Sequence, residues 1–560
     1  MHPLLAAEGE RRLLLGNEAI VRGALEAGLR VGAAYPGTPS SEIGNNLFAL
    51  SQELPGLYFE FSVNEKVAME VAAAAAACGL RSLTCMKHVG LNVAADPFLT
   101  LAYVGVKGGM VVVTADDPSC HSSQNEQDNR YYARLSGLPM LEPATPEEAR
   151  QYTAYAFELS ERLEVPVLLR TTTRVSHARG VVACGRLADY RAFPKGRFEK
   201  DPGRWIPVPA VARKRHQILL EKLRLAEEEA ARSPFNRMLK GGPLGVVASG
   251  VSVLYVEDAL RELGLEGKVS VLFLGFTHPF PKALAREFLS GLERCLVVEE
   301  LEPYLEEALK VTAQEAGLAV KILGKAEGYF PRYHEFHPGM VKAALARAFE
   351  LDWQPPEAPD TSWVPELPPR PPTLCPGCPH RETYKVVKEV LQELGEEENT
   401  VYPTDIGCYT LGLLPPLRMA DYLLCMGSSV GSACGFSVAT DQRLVSFIGD
   451  STFFHAGIPP LINALYQGHH FTLVVLDNET TAMTGHQPVP SQELRPEVLK
   501  DRPVISIARL CESLGIPAVE INPYKKTEAK EAVRPVLSSK KLAVIVAKAP
   551  CVLYRAKFKK

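Results

Sequence analysis

Eight prolines lie between residues 355 and 372, and this cluster sets the strongest limit on how the chain can fold. Proline fixes the backbone angle φ and lacks an N–H donor, so such a density cannot continue a helix or a central strand. The segment is therefore predicted to be a stiff, extended linker. With 560 residues the chain is also too long for one hydrophobic core, so several domains are expected. The cluster consists of Pro355, Pro356, Pro359, Pro365, Pro368, Pro369, Pro371 and Pro372.

On both sides of the linker, short apolar runs alternate with helix-length segments. The clearest helix covers residues 65–78, which are rich in alanine and are followed by Gly79, a residue suited to ending a helix. Such alternation predicts an α/β fold with parallel sheets covered by helices on both faces. The apolar runs predicted to be strands are residues 31–35, 82–86, 110–114, 166–170, 245–249, 270–274, 295–299, 444–448, 471–476 and 542–548.

Changes in composition divide the chain into five predicted segments. Residues 1–184 form a first α/β domain, and residues 185–242 are a charged connector with a helix near 217–232. Residues 243–350 form a second α/β domain, 351–372 the linker, and 373–560 a third α/β domain.

The overall composition excludes several classes of protein. The formal net charge is −4, so neither nucleic acid nor an anionic membrane surface is expected as a partner. The first residues lack the apolar core of a signal peptide, and no apolar run approaches the roughly 20 residues needed to span a bilayer. Twelve cysteines without such a signal argue against a disulfide framework. A cytoplasmic protein is expected.

Polar residues follow two apolar runs of the third domain. Gly449-Asp450-Ser451 follows the run at 444–448, and Asn478 comes directly after the run at 471–476 and Asp477. In open α/β sheets, ligands bind at the carboxyl ends of the strands. Asp450 and Asn478 offer the hard oxygen donors that Mg²⁺ requires, and phosphate oxygens usually complete its coordination. The alternative is a simple turn after each strand.

Four cysteines of the third domain form a second pattern. Cys375-Pro-Gly-Cys378 follows the linker, Cys408 follows Asp405-Ile-Gly, and Cys551 follows the last predicted strand. Four thiolates can bind either a zinc ion or a [4Fe–4S] cluster, and the ligand count does not choose between them. Alternatively, Cys408 is a small buried apolar residue.

Long motifs carry a resemblance over nearly the whole chain. They are Tyr-Pro-Gly-Thr-Pro-Ser-Ser at residues 35–41, Met-Lys-His-Val-Gly-Leu-Asn at 86–92, and Asp-Asp-Pro-Ser-Cys-His at 116–121. Together with the two patterns above, they make the chain resemble the thiamine-diphosphate-dependent 2-oxoacid:ferredoxin oxidoreductases, in particular the large subunits of the indolepyruvate type. The resemblance implies a multidomain architecture with pyrimidine-binding, transketolase-C-like and diphosphate-binding α/β domains.

The resemblance also assigns cofactor ligands. It implies thiamine diphosphate held through Mg²⁺ by Asp450, Asn478 and the backbone carbonyl of Thr480, with Gly449 and Ser451 flanking the metal ligand. It further implies a [4Fe–4S] cluster on Cys375, Cys378, Cys408 and Cys551. Gly427 and Ser428 belong to a small-residue loop whose backbone N–H groups suit phosphate oxygens.

An activating glutamate is expected in the first domain. Related enzymes place it where a helix begins after a strand, and Glu65 matches that position. Glu70 on the same helix is the second candidate. Alternatively, Glu65 only complements the helix dipole.

The resemblance places substrate contacts in the first domain. Thr38 and Arg134 are implied to contact the substrate carboxylate, for which the planar guanidinium fork of arginine is suited. Lys87 and His88 are candidates for polar contacts or proton transfer near the substrate carbonyl, or for structural hydrogen bonds in a loop.

The function implied is oxidative decarboxylation of an aryl 2-oxoacid to an acyl-coenzyme A, with electrons passing through the cluster to ferredoxin. A smaller β subunit is the expected partner, in an assembly such as α2β2. The two cysteine-rich cluster motifs usual at the end of such large subunits do not occur in this sequence, which leaves the electron exit route open. The alternatives are a non-redox thiamine-dependent decarboxylase with structural zinc, a related oxidoreductase with another substrate, and a non-catalytic subunit.

Overall fold

The computed structural model describes residues 2–355, 357, 359–368 and 370–558, and the chain falls into two compact units, residues 1–360 and 361–560. The division lies inside the predicted linker. None of the described residues between Ala348 and Pro379 belongs to a helix or a strand. Pro356 and Pro369, two prolines of the cluster, lie outside the described residues.

The first unit contains a seven-stranded sheet. All neighbouring strands in it are parallel except Phe276–His278, which pairs antiparallel with Met140–Leu141 at one edge. The central strand Met110–Asp116 is fully buried. In spatial order the strands are Phe276–His278, Met140–Leu141, Val167–Thr172, Met110–Asp116, Ser82–Lys87, Val31–Ala34 and Tyr58–Phe61.

A second sheet of the same unit has five strands. Four are parallel, and Asn236–Leu239 pairs antiparallel with Ser270–Leu274. An antiparallel ribbon joins Arg11–Leu15 to Arg179–Ala183. In spatial order the strands of the second sheet are Lys321–Leu323, Arg294–Val298, Leu244–Ser249, Ser270–Leu274 and Asn236–Leu239.

Helices of the first unit connect these strands. The longest is Pro209–Arg232, which begins eight residues before the predicted 217, because Pro209 suits the first turn of a helix. The α-helices are Gly16–Glu26, Ser41–Glu53, Glu65–Ala77, His88–Val93, Ala95–Val104, Arg130–Ser136, Pro146–Leu163, Thr173–His177, Pro202–Trp205, Pro209–Arg232, Ser252–Glu262, Lys282–Leu289, Tyr304–Glu315 and Pro338–Ala348.

The second unit is built on one wholly parallel sheet. Its strands, in spatial order, are Thr400–Val401, Arg443–Gly449, Thr472–Asp477, Ala543–Lys548 and Ala518–Ile521. Arg443–Gly449 and Thr472–Asp477 are entirely buried. The α-helices are Pro379–Glu393, Ser428–Ala439, Asp450–Thr452, Ile458–Gln467, Ile507–Ser513, Lys526–Ser538 and Val552–Ala556, and short 3₁₀ segments include Cys408–Leu413.

The α/β fold class with parallel sheets is confirmed. The two antiparallel edge strands, Asn236–Leu239 and Phe276–His278, were not predicted, because each is too short to give a pattern of its own. The limits of the five predicted segments stay a prediction. No helix among the described residues is both long and apolar enough to cross a membrane.

Candidate active site

The candidate metal ligands of the second unit lie at one edge of its sheet. Asp450 follows the strand Arg443–Gly449, and Asn478 follows Thr472–Asp477. The two strands are parallel neighbours, with Gly449 beside Leu476 in register. Both side chains therefore emerge from the carboxyl ends of adjacent strands, as their spacing in the sequence predicted.

Two buried carboxylates meet at this edge. Burial and the neighbouring charge of Asp477 raise the pKa of Asp450 well above its usual range. Burial likewise raises the pKa of Asp477 to about 6. Oδ1 of Asp450 accepts the N–H of Ser451 (2.8 Å), whereas Oδ2 is buried without a hydrogen-bond partner in the described part of the chain. A divalent cation would neutralise this pair and satisfy the free oxygen, so the residues fit Mg²⁺.

The Asn478 amide is held in one orientation. Its Nδ2 donates to Nε2 of His380 (3.0 Å), and its Oδ1 accepts the N–H of Thr480 (3.3 Å). Burial lowers the pKa of His380 to about 4, so the imidazole is neutral and can accept this bond. Thr480 is also buried, and its hydroxyl donates to the carbonyl of Gln487 (3.1 Å). The side-chain oxygen of Asn478 is thus turned away from His380.

The loop containing Gly427 and Ser428 is tied to Asp405. The buried Asp405 carboxylate accepts the N–H groups of Gly427 (2.6 Å) and Ser429 (3.0 Å). The N–H of Ser428 donates to the carbonyl of Cys425 (3.0 Å). Gly427 has φ +88°, a conformation that favours glycine. In this structure these amides are therefore engaged by the protein itself, and phosphate binding by the loop stays a prediction.

The structure brings the four candidate cluster cysteines together. Burial and the charges of the other three thiols raise the pKa of Cys408 to about 12. Burial, with smaller contributions from Cys375 and Cys551, also raises the pKa of Cys378, although the amides of Arg381 and His380 act in the opposite direction. Among the described residues, no group of three or more His, Cys, Asp or Glu side chains is placed so that it could hold a metal ion. Cys378 and Cys551 are buried, whereas Cys375 and Cys408 are partly exposed, and a metal centre on these four cysteines stays a prediction.

The cysteines and the metal edge are directly connected. The N–H of Cys551 donates to the carbonyl of Asn478 (2.9 Å). On the other side, Asp405 and Cys408 are separated by only two residues, and the Tyr409 ring packs against Gly449. The backbone at Cys551 and the ring next to Cys408 therefore lie beside the strand ends of the second unit.

In the first unit, Glu65 begins its helix as expected. The Asn64 side chain caps Glu65–Ala77 by accepting the N–H of Val67 (2.9 Å). Glu65 is only 5% exposed and lies against the helix His88–Val93. A Cβ at Gly90 would stand 2.7 Å from Oε1 of Glu65, so glycine is what allows this close approach. Glu70, in contrast, is exposed and pairs with Lys66.

Thr38, Lys87 and His88 lie at the carboxyl edge of the seven-stranded sheet. The ammonium of Lys87 donates to the carbonyl of Ser122, and the Ser122 hydroxyl donates to the carbonyl of Thr38 (3.3 Å). His88 is fully buried, with Nε2 3.0 Å from Oδ1 of Asn125.

Arg134 lies elsewhere. It belongs to the helix Arg130–Ser136, its side chain is 61% exposed, and it pairs with Glu307 at 3.6 Å. None of the contacts found among the described residues connects it with Thr38. Its role toward a carboxylate stays a prediction.

Three residues with evident roles in the site were not predicted from the sequence. His380 orients Asn478, Asp405 holds the Gly427 loop, and Asp477 is the second buried carboxylate. His380 follows Cys375-Pro-Gly-Cys378 by two positions, and Asp477 directly precedes Asn478. Their closeness to recognised motifs was the sign in the sequence that could have predicted a place in the site.

Two family models match parts of this chain. Residues 22–203 match the family described as "Pyruvate flavodoxin/ferredoxin oxidoreductase, thiamine diP-bdg". Residues 405–547 match the family described as "Thiamine pyrophosphate enzyme, C-terminal TPP binding domain".

Curated proteins resemble the chain over almost its full length. It is 53% identical over 558 residues to "Indolepyruvate oxidoreductase subunit IorA" of Methanothermobacter thermautotrophicus, covering 98% of this chain and 88% of that protein. It is 45% identical to the subunit of the same name from Archaeoglobus fulgidus, covering 98% and 87%. A solved 2-oxoglutarate:ferredoxin oxidoreductase from Magnetococcus marinus aligns with a TM-score of 0.48 at 15% identity, over 61% of this chain and 65% of that one.

Proposed function

Because the chain belongs to the indolepyruvate oxidoreductase IorA family, within the thiamine-diphosphate-dependent 2-oxoacid:ferredoxin oxidoreductases, we propose that it oxidatively decarboxylates aryl 2-oxoacids such as indolepyruvate. In the proposed reaction, the 2-oxoacid and coenzyme A give an acyl-coenzyme A, CO₂, one proton and two electrons. A [4Fe–4S] cluster on this chain passes the electrons singly to ferredoxin.

The observation that carries the proposal is the hydrogen bond from the Cys551 N–H to the Asn478 carbonyl (2.9 Å). It joins the residues proposed to hold a redox centre to those proposed to hold the metal and diphosphate. A decarboxylase without a redox step has no need for a cluster at this position. The four neighbouring thiols beside the metal edge therefore favour an oxidoreductase.

Thiamine diphosphate, when bound, supplies the electron-accepting ring that makes decarboxylation of a 2-oxoacid possible. Asp450, Asn478 and the carbonyl of Thr480 would hold its Mg²⁺. His380 accepts a hydrogen bond from the amide nitrogen of Asn478 (3.0 Å) and so keeps the side-chain oxygen of Asn478 available for the metal. Glu65 would hydrogen-bond to the aminopyrimidine and support the tautomer needed for activity. The near-complete burial of Glu65 excludes competing water from that carboxylate.

The proposal also covers the acyl acceptor, the partner subunit and the cellular location. Coenzyme A is the acyl acceptor, a smaller β subunit is the partner in an assembly such as α2β2, and the enzyme works in the cytoplasm. The names of the curated relatives support a partner, since each is called a subunit.

Steady-state turnover tests this proposal. The chain would be produced with its partner subunit and assayed without oxygen, with indolepyruvate, coenzyme A, thiamine diphosphate, Mg²⁺ and methyl viologen. We expect viologen reduction that needs each component, and a higher kcat/KM for indolepyruvate than for pyruvate or 2-oxoglutarate. Release of CO₂ without viologen reduction would contradict the redox step, and higher activity with pyruvate or 2-oxoglutarate would contradict the substrate class.

A further inference from the structure

Two neighbouring residues of the loop after the strand Met110–Asp116 have left-handed backbone angles. Ser119 has φ +71° and Cys120 has φ +51°, although neither is glycine. Such angles are unfavourable for a residue that carries a Cβ, and they persist only where the surroundings enforce them. Contacts from outside the loop, which comprises residues 117–123, must therefore hold it in this form.

The carboxylate of Glu126 supplies such a contact. Its Oε1 accepts the N–H of Ser119 and the N–H of His334 (2.8 Å). His334 also has a left-handed φ of +66°, so one oxygen is bonded to two residues in this conformation. The Glu126 side chain is 19% exposed, and an ionised acceptor forms stronger hydrogen bonds than a neutral one. Glu126 therefore stabilises the left-handed form at both places.

A second contact joins the loop to residues 334–336 of the same unit. The hydroxyl oxygen of Ser119 accepts the N–H of Glu335 (2.9 Å). The next amide, that of Phe336, donates to Oε1 of Glu300 (2.8 Å), which lies just beyond the carboxyl end of a strand of the five-stranded sheet. These hydrogen bonds therefore connect the loop of the seven-stranded sheet with the five-stranded sheet.

The other carboxylate of the loop does not explain its left-handed residues. The Asp117 carboxylate accepts the N–H of Ser122 (2.9 Å) and the hydroxyl of Ser123. Neither of these hydrogen bonds involves the two left-handed residues. Asp117 therefore holds the later part of the loop, whereas Glu126 holds the left-handed part.

The loop forms part of the wall of the candidate site in the first unit. The Ser122 hydroxyl donates to the carbonyl of Thr38 (3.3 Å), and the Ser122 carbonyl accepts the ammonium of Lys87. His121 and Glu335 both line an open cavity of about 460 Å³, a size typical of small-molecule sites. A change in the path of the loop would therefore move side chains that line this cavity.

We propose that Glu126 is a positioning residue that keeps the 117–123 loop in its left-handed form and thereby shapes the site for turnover. Both hydrogen bonds described for its carboxylate go to backbone amides, so Glu126 acts through the loop. The effect on turnover rests on the proposed function, whereas the effect on the loop does not. Because a displacement of site groups by about 1 Å can lower a rate about 100-fold, the path of the loop matters for catalysis.

Kinetics in the viologen assay test the role of Glu126 in turnover. The enzyme is produced with its partner subunit, loaded with thiamine diphosphate and Mg²⁺, and assayed well below the unfolding midpoint of each variant. We expect Glu126→Ala to lower kcat/KM for indolepyruvate about 10- to 100-fold, because the loop relaxes from its left-handed form. Glu126→Gln keeps a neutral acceptor and should lose less. Gln124→Ala, a change at an exposed position two residues away, should resemble wild type.

A glycine rescue separates positioning from a chemical role. Glycine adopts left-handed angles without outside support. Adding Ser119→Gly and Cys120→Gly to Glu126→Ala should therefore recover most of the lost kcat/KM, with the two glycine changes alone as the reference. A group that acts on the substrate itself could not be replaced in this way.

Amide hydrogen exchange gives a readout that does not need turnover. Mass spectrometry with electron-transfer fragmentation resolves single amides of the cofactor-free enzyme. We expect exchange at Ser119 and His334 to be about 10-fold or more faster in Glu126→Ala than in wild type, because both amides lose a charged acceptor. Exchange at Ser122, whose amide is held by Asp117, should change little.

The proposal is overturned if Glu126→Ala keeps wild-type exchange at Ser119, if exchange rises while kcat/KM does not fall, or if the glycine changes recover none of the loss. Should Glu126→Ala not fold, Glu126→Gln is used for the same comparisons. Absence of turnover with every 2-oxoacid in wild type would refute the proposed function alone. Amide exchange would then still decide whether Glu126 holds the loop.

Discussion

Replacing Glu65 by glutamine should lower kcat about 10²- to 10⁴-fold, the usual contribution of a positioned acid or base. Glutamine has nearly the same shape but cannot share a proton with the aminopyrimidine. Because Glu65 packs against the backbone at Gly90 and is 5% exposed, a bulk carboxylate or water cannot replace it. The affinity for thiamine diphosphate should change little, since the diphosphate is proposed to be held by other residues. Steady-state kinetics and calorimetric titration of the cofactor measure the two effects separately.

Glu70→Gln is the matched control for this prediction. Glu70 lies on the same helix, but its side chain is 47% exposed and pairs with Lys66 on the surface. Its replacement should leave kcat within about twofold, because exposed ion pairs contribute little. If Glu70→Gln caused the larger loss, or if Glu65→Gln kept wild-type kcat, the assignment of the activating acid would be wrong.

Asp450→Asn should weaken binding of Mg²⁺ and thiamine diphosphate by about 100-fold or more, because loss of even a supporting residue around a bound metal costs about 10- to 100-fold. The same change should stabilise the cofactor-free protein. The folded state holds the pKa of Asp450 well above its value in the unfolded chain, so the ionised side chain costs stability at pH 7. Asparagine removes one of the two adjacent buried carboxylates, and it therefore removes this cost in stability. Calorimetric titration measures the binding, and thermal unfolding with and without Mg²⁺ and cofactor measures the stability.

Asp441→Asn serves as the control, since Asp441 is exposed and precedes the opposite end of the same strand, Arg443–Gly449. It should change neither binding nor the unfolding midpoint. Wild-type cofactor affinity in Asp450→Asn would refute its role as a metal ligand. A lower midpoint for the cofactor-free variant would refute the electrostatic argument.

Much of the fold could be predicted because parallel strands buried on both faces give uninterrupted apolar runs. The strand Arg443–Gly449 was predicted within one residue at either end, and the helix Glu65–Ala77 within one residue at its end. Such segments are specified by their own residues. The strand Phe276–His278 is specified mainly by its partner Met140–Leu141, more than 130 residues away, and it therefore left no local pattern.

The same distinction applies to the site. Asp450 and Asn478 could be placed because a residue after a parallel strand must emerge at the carboxyl edge of the sheet. The bond between His380 and Asn478 could not be foreseen, because it joins residues 98 positions apart and depends on how one helix packs.

The surroundings of Lys87 and Arg134 could not be predicted from the sequence. Both are basic residues near recognised motifs, and the sequence favoured Arg134 for its fork of donors. The structure pairs Arg134 with Glu307 on the surface, and it places Lys87 against Ser122 and near the carboxylate of Asp117. Burial and pairing, which determine what a cation can bind, depend on tertiary structure and are not visible in spacing.

The most direct test of the redox function is the metal content of the protein purified without oxygen. Iron, acid-labile sulfide and zinc would be measured per chain, with electron paramagnetic resonance spectra recorded before and after indolepyruvate is added with thiamine diphosphate and Mg²⁺. We predict about four irons and four sulfides, and a reduced [4Fe–4S] signal that appears only with the 2-oxoacid. One zinc per chain, with no iron after attempted cluster reconstitution, would contradict the account and favour a non-redox decarboxylase.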